Sequence, residues 1–545
     1  MANRPTTSVE STPSRADRHY SEGLDKALVL IVQKGAPMEL ESLKPARSVS
    51  YRSYRDPNGS FSIITNAASH ECLTLEGASS EIWRSIECCS TYSTLLKEAA
   101  IQEISQIELD EFLSSLSEAG LISSSSDPET ELPDRQPPPK PRYQSDSNSP
   151  DQTTNLDFAE VEDEIKERAL GSGYLWAFFW ELTYRCNERC VHCFNPGAAH
   201  TDGVKPNRNR NELTEEEIVK TLDDLVALGV FKITISGGEV LTSKKLFFLM
   251  EESRKRGFQL HIYTNGLLLD AKNASKLASY YPDTVSLSVY STNPKIHDEF
   301  TKVPGSYRRT IAAIKLLHEQ NIRVTIKSVL TKNTGHDWKQ LESLAKELGV
   351  RISFDPMISA ANDGAKAPLS HNLDLEQIVE ISKSNGSPLY PGDESNGWGA
   401  INKPMDREVC GAGVSMLSMS PTGEVSPCVA LPLTIGDIRT GKSISDIWAE
   451  RKLTSEIKFN SDKPSRIKTL GDWRSVKLAS YAECGTHERC KWCHKCPGAG
   501  LTETGDVLLA SRTQCKIAEG RMIAARSLKS GMTSQNELIK LKPVE

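Results

Sequence analysis

The sequence predicts an α/β protein: a partial (β/α)6 barrel core, an N-terminal winged-helix-like α+β module and a C-terminal Cys-rich domain. Three observations carry this. Strand-like and helix-like patterns alternate six times between residues 177 and 354. A Pro-, Ser- and Asp-rich stretch, 125–165, separates that run from what precedes it. Of 13 cysteines, seven crowd between positions 410 and 515.

In chain order, residues 1–24 read as a disordered tail and 25–124 as the module. Strands are expected at Val49–Tyr54, Phe61–Thr65 and Glu71–Leu75, around a turn at Asp56-Pro57-Asn58-Gly59. Ser79 or Ser80 can cap a helix whose Ile82, Trp83 and Ile86 share a face. Leu109, Phe112, Leu113 and Leu116 recur at helical spacing, and Gly120 ends that helix. Residues 125–165 have almost nothing apolar to bury, so they read as a linker that leaves the module's orientation open.

The core is expected over 172–385. It begins with the apolar strand Ala177–Thr183. A helix follows over Leu213–Leu228, opened by the capping box Thr214…Glu217 and closed by Gly229. Strands Phe231–Ile235, Leu260–Tyr263, Thr284–Val289, Arg323–Val329 and Ile352–Phe354 alternate with helices near 243–257, 271–280, 307–320 and 338–348. Such alternation makes a parallel sheet with its site at the carboxyl ends of the strands. The Cys-rich domain spans 400–525 and a second tail 526–545.

Composition bounds the class. The chain has 545 residues, 38% hydrophobic and 25% charged, with a formal net charge of −7. That charge argues against an extended nucleic-acid surface. No apolar run is long enough to span a membrane and the N-terminus lacks a secretory core, so no nucleic-acid or membrane partner and a cytoplasmic location are expected. In a reducing compartment, clustered cysteines point to metal ligation over disulfides.

The sharpest local signal is Cys186-Asn187-Glu188-Arg189-Cys190-Val191-His192-Cys193, directly after the first core strand. Three thiolates can hold three irons of a [4Fe–4S] cube, leaving the fourth iron open to a small chelating molecule. The alternative is structural zinc, which usually has four protein ligands; His192 lies between two of the cysteines and could join them only under strain.

This Cys-x3-Cys-x2-Cys loop resembles the radical S-adenosylmethionine superfamily. The resemblance implies that the open iron binds S-adenosylmethionine, which one electron cleaves to methionine and a 5′-deoxyadenosyl radical. It extends to Ser236-Gly237-Gly238-Glu239, where the family meets the methionyl ammonium, although Val240 stands where the family often has Pro. Thr264-Asn265-Gly266 and Ser288 match further cofactor positions, Ser288 the ribose contact, and His192 the ring placed near adenine. Cys410-Gly411-Ala412-Gly413 and Ser420-Pro421-Thr422-Gly423-Glu424-Val425-Ser426-Pro427-Cys428, with Cys484, Cys490, Cys493, Cys496 and Cys515, resemble the SPASM domain. That implies two auxiliary [4Fe–4S] clusters, but the internal spacing departs from the family's and leaves the ligands undivided between them; a zinc ribbon remains an alternative for part of the segment.

Phe61-Ser62-Ile63-Ile64, Cys72 through Trp83, and Phe112-Leu113…Ala119-Gly120-Leu121-Ile122 resemble the small peptide-binding domains called RiPP recognition elements. A packing or dimerisation domain is the bland alternative. The combination resembles a maturase of ribosomally made peptides, implying a precursor peptide with a leader and a reductant such as flavodoxin or ferredoxin. Cross-linking is the leading expected product class, with epimerisation, backbone excision or residue oxidation as alternatives. A non-catalytic, cluster-bearing peptide scaffold is the non-enzymatic rival. Asp355, ending the sixth strand, is well placed for acid–base work but fits a capping or turn role equally; no catalytic residue is otherwise singled out.

Overall fold

The computed structural model describes residues 42–124, 158–195, 211–384, 386–391, 408–450 and 467–530. The expected first tail, the 125–157 part of the linker and residues 531–545 lie outside them.

The module contains β1 (Ser42–Pro45), β2 (Val49–Asp56), β3 (Gly59–Asn66), β4 (Glu71–Glu76), β5 (Ser90–Thr91) and β6 (Ile122–Ser124). They form two small sheets, β2-β3-β4 and β5-β1-β6, with helices Gly77–Glu87, Tyr92–Ile101 and Gln106–Glu118. Ile64, Ile82, Trp83, Ile86, Leu95, Leu109 and Leu113 share one core. The first helix departs from expectation. β4 runs straight into it at Gly77, Glu76 makes no side-chain cap, and Ser80 is buried against the Ser62 hydroxyl at 2.7 Å. Ser79 and Ser80 therefore sit inside the helix and not at its cap. Helix Tyr92–Ile101, capped by Thr91, has no counterpart among the sequence expectations.

The linker expectation also needs correction, because Phe158–Gly171 is helical. Its Ile165 and Ala169 pack on Tyr54, Phe61 and Ile63 of the β2-β3-β4 sheet, while Arg168 bonds Asp56. Nor is the module's orientation left open. Buried Arg254 donates to the Ser50 hydroxyl (2.6 Å) and to the carbonyls of Arg47 and Val49 (both 2.8 Å). Arg52 donates to Val230 O (2.8 Å), and the Tyr51 amide to Gly257 O (2.8 Å). Phe231, Trp176 and Tyr281, all at the amino ends of core strands, complete an apolar floor against the module. Many buried, hydrogen-bonded groups fix an interface that composition alone cannot reveal.

The core strands are β7 (Ala177–Thr183), β8 (Lys232–Gly237), β9 (Gln259–Thr264), β10 (Thr284–Ser288), β11 (Arg323–Val329) and β12 (Arg351–Asp355). They pair in parallel in the order β12-β11-β10-β9-β8-β7. Sequential order with same-handed crossovers places the helices on one face, as in a barrel and unlike a doubly wound sheet. Alternation along each strand divides the two faces. Phe178, Trp180, Ile233, Ile235, Leu260, Ile262, Val285, Leu287, Val324 and Ile326 join the core cluster. The opposite face carries Glu181, Ser236, Tyr263, Ser288, Lys327 and Asp355, so the inner wall is largely polar.

The barrel stays open, and the Cys-rich region extends its sheet. β13 (Met416–Met419) pairs in parallel with β7, followed by β14 (Glu424–Ser426) and β15 (Gly436–Asp437) in a nine-stranded sheet. Helix Leu375–Lys383 packs on Arg512–Ser530, where a Cβ on Gly520 would lie 2.3 Å from Ile378. Among the described residues no helix is long and apolar enough to cross a membrane.

Candidate functional site

The cysteine loop leaves β7 at the carboxyl end of the sheet. Backbone bonds sew it to helix Pro294–Thr301: Arg189 N donates to Thr301 O and Val191 N to Phe300 O, both at 3.0 Å. Cys186, Cys190 and Cys193 are each partly exposed. Their thiols feel one another electrostatically: Cys186 senses Cys193, and Cys190 senses both. Burial pushes the Cys186 thiol up to about 11 and raises the other two, so in the metal-free protein they stay protonated. A bound metal favours the thiolates and reverses this.

The glycine pair after β8 serves close packing. A Cβ on Gly237 would lie 2.3 Å from Thr183 O, and one on Gly238 2.3 Å from Arg185 O. Only glycine lets the two backbones meet there, with Gly238 N donating to Thr183 O and Glu239 N to Arg185 O. Gly237 O accepts from Asn195 Nδ2 at 2.6 Å.

Glu239 is held from within the protein. Its residue is fully buried, and its carboxylate accepts from Thr264 Oγ1 (2.7 Å), Asn265 N (2.7 Å) and Leu241 N (3.0 Å). It braces the turn after β9. Asn265 in turn donates from Nδ2 to Asn187 Oδ1 at 2.7 Å, tying that turn to the cysteine loop. His192 packs on Phe300 and Tyr290, with ring centroids at 4.8 and 5.0 Å. Ser288 lies beside the Tyr290 hydroxyl on the inner wall. The structure thus brings the expected cofactor residues to one end of the sheet, where Glu239 and the glycines shape the site from behind.

Two inner-wall groups escaped the sequence reading. Glu181, 6% exposed, accepts from Tyr184 Oη at 3.0 Å, while its Oε1 has no partner. Burial raises its pKa to about 7, and Cys193 feels its charge. Burial lowers the Lys327 pKa, opposed by Asp355. Each was legible as a charge at an inward position of a core strand. Asp355 itself is open to water yet ringed by protein, which raises its pKa; its carboxylate accepts from Met357 N at 2.9 Å, the turn role left open by the sequence.

The seven C-terminal cysteines fall into two groups. Cys484, Cys490, Cys493 and Cys515 line one pocket, together with Lys495 and Arg489. Cys410, Cys428 and Cys496 form the second group: the Cys428 thiol, pushed up by burial to about 11, senses both others. Asp355 acts on Cys496, so this second group adjoins the barrel mouth.

The donors suit iron–sulfur cubes. Among the described residues no three His, Cys, Asp or Glu side chains converge to grip a single ion. A cube instead takes each thiolate on a different iron, so its ligands ring a volume, as the four thiols ring their pocket. Four cysteines complete one such set; each of the other two groups leaves one iron for another ligand.

Comparison with known proteins agrees. Residues 180–348 match the Radical SAM superfamily and 410–497 the SPASM iron–sulfur cluster-binding domain. Such domains bind a [4Fe–4S] cluster with S-adenosylmethionine and, in the SPASM part, auxiliary clusters. The AdoMet-dependent heme synthase of Methanosarcina barkeri is 27% identical, over 60% of this chain and 93% of its own. AlbA, the subtilosin biosynthesis protein of Bacillus subtilis, is 28% identical over 48% of this chain and 56% of its own. The PqqA peptide cyclase of Ruegeria pomeroyi is 25% identical over 50% and 74%. Streptococcus suis SuiB bound to its precursor peptide SuiA shares 17% identity at a TM-score of 0.49, covering 87% of this chain and 99% of that one.

Proposed function

We propose, from the premise that this chain is a radical SAM superfamily member with a SPASM domain, that it modifies a ribosomally made precursor peptide, most simply by cross-linking it. In this reading Cys186, Cys190 and Cys193 hold the radical-generating cluster, and the seven C-terminal cysteines hold two auxiliary clusters. Bound S-adenosylmethionine, on reduction, supplies a 5′-deoxyadenosyl radical that takes hydrogen from a substrate carbon. The chain's own residues do the rest. The loop bonds to Thr301 and Phe300 fix the thiols, Glu239 and Asn265 brace the wall behind the cofactor, and the polar inner face holds the substrate. Asp355 stands between that face and the three-thiol group and is the proposed proton acceptor as the new bond forms. Flavodoxin or ferredoxin is the proposed electron source, and the cytoplasm the proposed location.

The observation that carries a peptide substrate is the small module, a β2-β3-β4 sheet with three helices, whose outermost described strand is β4. A leader peptide adding as a strand along β4 would be held by main-chain bonds. The module's fixed seat on the barrel floor then sets the leader's starting point relative to the site, raising the effective concentration of the peptide's core segment there. Similarity to AlbA and the PqqA cyclase supports this reading.

The test is anaerobic reconstitution with S-adenosylmethionine, reductant and a candidate precursor peptide. The expected result is 5′-deoxyadenosine together with a peptide lighter by two hydrogens. Turnover of leaderless peptide at the full rate would overturn leader docking. A tetrapyrrole as the only modified substrate would overturn the peptide reading in favour of the chemistry named for the heme synthase relative.

A further inference from the structure

Tyr481 and Lys495 each lie within reach of both C-terminal thiol groups. Tyr481 is 6% exposed, and its hydroxyl is buried without a hydrogen-bond partner. A buried hydroxyl left unpaired is costly, so the phenol is poised to donate to a group that the protein chain does not supply. The phenol lies within electrostatic reach of Cys410 and Cys496 from one group and of Cys484 from the other. Lys495 is 8% exposed, and its ammonium sits 3.9 Å from the centre of the Tyr481 ring. It donates to Cys484 Sγ at 3.2 Å and reaches Leu509 O at 3.4 Å.

The two groups differ in charge around them. Cys493 and Cys515, in the four-thiol group, feel Lys495 and Arg489 respectively. In the three-thiol group, Cys428 and Cys496 are met by backbone N–H groups of Ala430, Leu431, Gly498 and Ala499, and at Cys496 the carboxylate of Asp355 outweighs the ammonium of Lys495, which also reaches it. A full positive charge on a thiolate stabilises an added electron more than a neutral donor does, while a carboxylate opposes it.

We propose that Tyr481 and Lys495 are positioning residues that give the auxiliary clusters a direction. Lys495 holds the four-thiol cluster at the higher potential through Cys484, and the Tyr481 hydroxyl donates to a sulfur of the three-thiol cluster. One electron from the substrate radical, arriving at the barrel mouth, reduces the three-thiol cluster. It then passes to the four-thiol cluster, which a one-electron carrier protein reoxidises. No atom moves in that transfer; the first cluster is oxidised and the second reduced. The inference rests on the two auxiliary clusters of the preceding section.

The experiment is a redox titration of the anaerobically reconstituted full chain, followed by electron paramagnetic resonance, with iron and sulfide counted in every sample. Cys410→Ala assigns the three-thiol signal. In the unsubstituted protein the four-thiol cluster is expected at the higher potential; the reverse order overturns the proposal without any variant. Lys495→Met is expected to lower the four-thiol midpoint by at least tenfold in the reduction constant, about 59 mV for one electron, and Lys495→Arg to restore most of it. Tyr481→Phe is expected to lower the three-thiol midpoint by less. Unmoved midpoints at full iron content would overturn the assignment while leaving the enzyme reading intact. Iron sufficient for a single cluster per chain would remove the auxiliary-cluster reading and this proposal with it.

Discussion

The two ends of the barrel treat buried charge in opposite ways. At the amino end, beneath the module, Asp283 faces Arg323 at 3.0 Å and His261 at 3.3 Å. The Arg323 guanidinium and His261 hold its carboxyl well below the usual range, outweighing burial. Arg254 and Arg52 spend their donors on carbonyls and the Ser50 hydroxyl across the module interface. At the carboxyl end, among the described residues, Glu181 keeps an oxygen without a hydrogen-bond partner, and Asp355, exposed but ringed by protein, is in no ion pair; desolvation raises both. The same six strands thus end in a floor whose acid is ion-paired, although Ser48, Tyr54 and Gln259 keep polar atoms without hydrogen-bond partners there, and a mouth whose acids are not ion-paired among the described residues. A fully paired network stabilises and orients, whereas unpaired buried groups mark where a ligand or a proton is expected.

The sharpest break in that comparison is replacement of Cys186, Cys190 and Cys193 together by Ala. Release of 5′-deoxyadenosine is expected to fall below detection, with one cluster's iron lost. The metal-free melting temperature should change little, because backbone bonds hold the loop. A damaged floor should do the reverse. Arg254→Ala strips the charge-assisted bonds to Ser50, Arg47, Val49 and Phe258. A loss of about 4 kcal/mol in urea unfolding is expected, with iron loading unchanged at low temperature.

Asp283→Asn should cost about 3 kcal/mol at neutral pH by removing the buried carboxylate that Arg323 faces at 3.0 Å. The pH dependence follows from a carboxyl whose folded pKa lies below its unfolded value. Its contribution is present above the unfolded pKa of about 4 and is lost as pH falls towards the folded value. The variant's acid unfolding should therefore be shallower below pH 4 than that of the unsubstituted protein.

Glu181→Gln, the smallest effect, should show the opposite sign. The raised folded pKa means the native state holds a proton that the unfolded state has released, so stability declines from about pH 4.5 to about pH 7 and is level above. In the metal-free protein the Gln variant should lack that decline, gaining at most about 3 kcal/mol relative to the unsubstituted chain across the window. Parallel pH curves for the two proteins would show that Glu181 is not the buried acid the mouth contains.

Much was legible in the sequence because its causes are local. The Thr214…Glu217 capping box, the Gly229 stop and the core strands reflect propensity and period over a few residues, and the structure has them within a residue or two. The Cys186–Cys193 loop was legible for the same reason, since its donors lie within eight positions. Helix Phe158–Gly171 was lost because its apolar face is sparse and gains its partners from β2, β3, Trp176 and Phe231 once the chain has folded.

By itself, then, the sequence determined the order of elements, the clustering of the cysteines and the placement of the first thiol loop after a strand. Tertiary structure alone decided the four-and-three division of the C-terminal cysteines, the joining of β13 to β7, the seating of the module on the barrel floor and the bracing role of Glu239. The physical reason is distance along the chain. Such contacts depend on strand register and on which buried donor meets which acceptor, and those pairings emerge only when segments far apart in sequence share one packed interior.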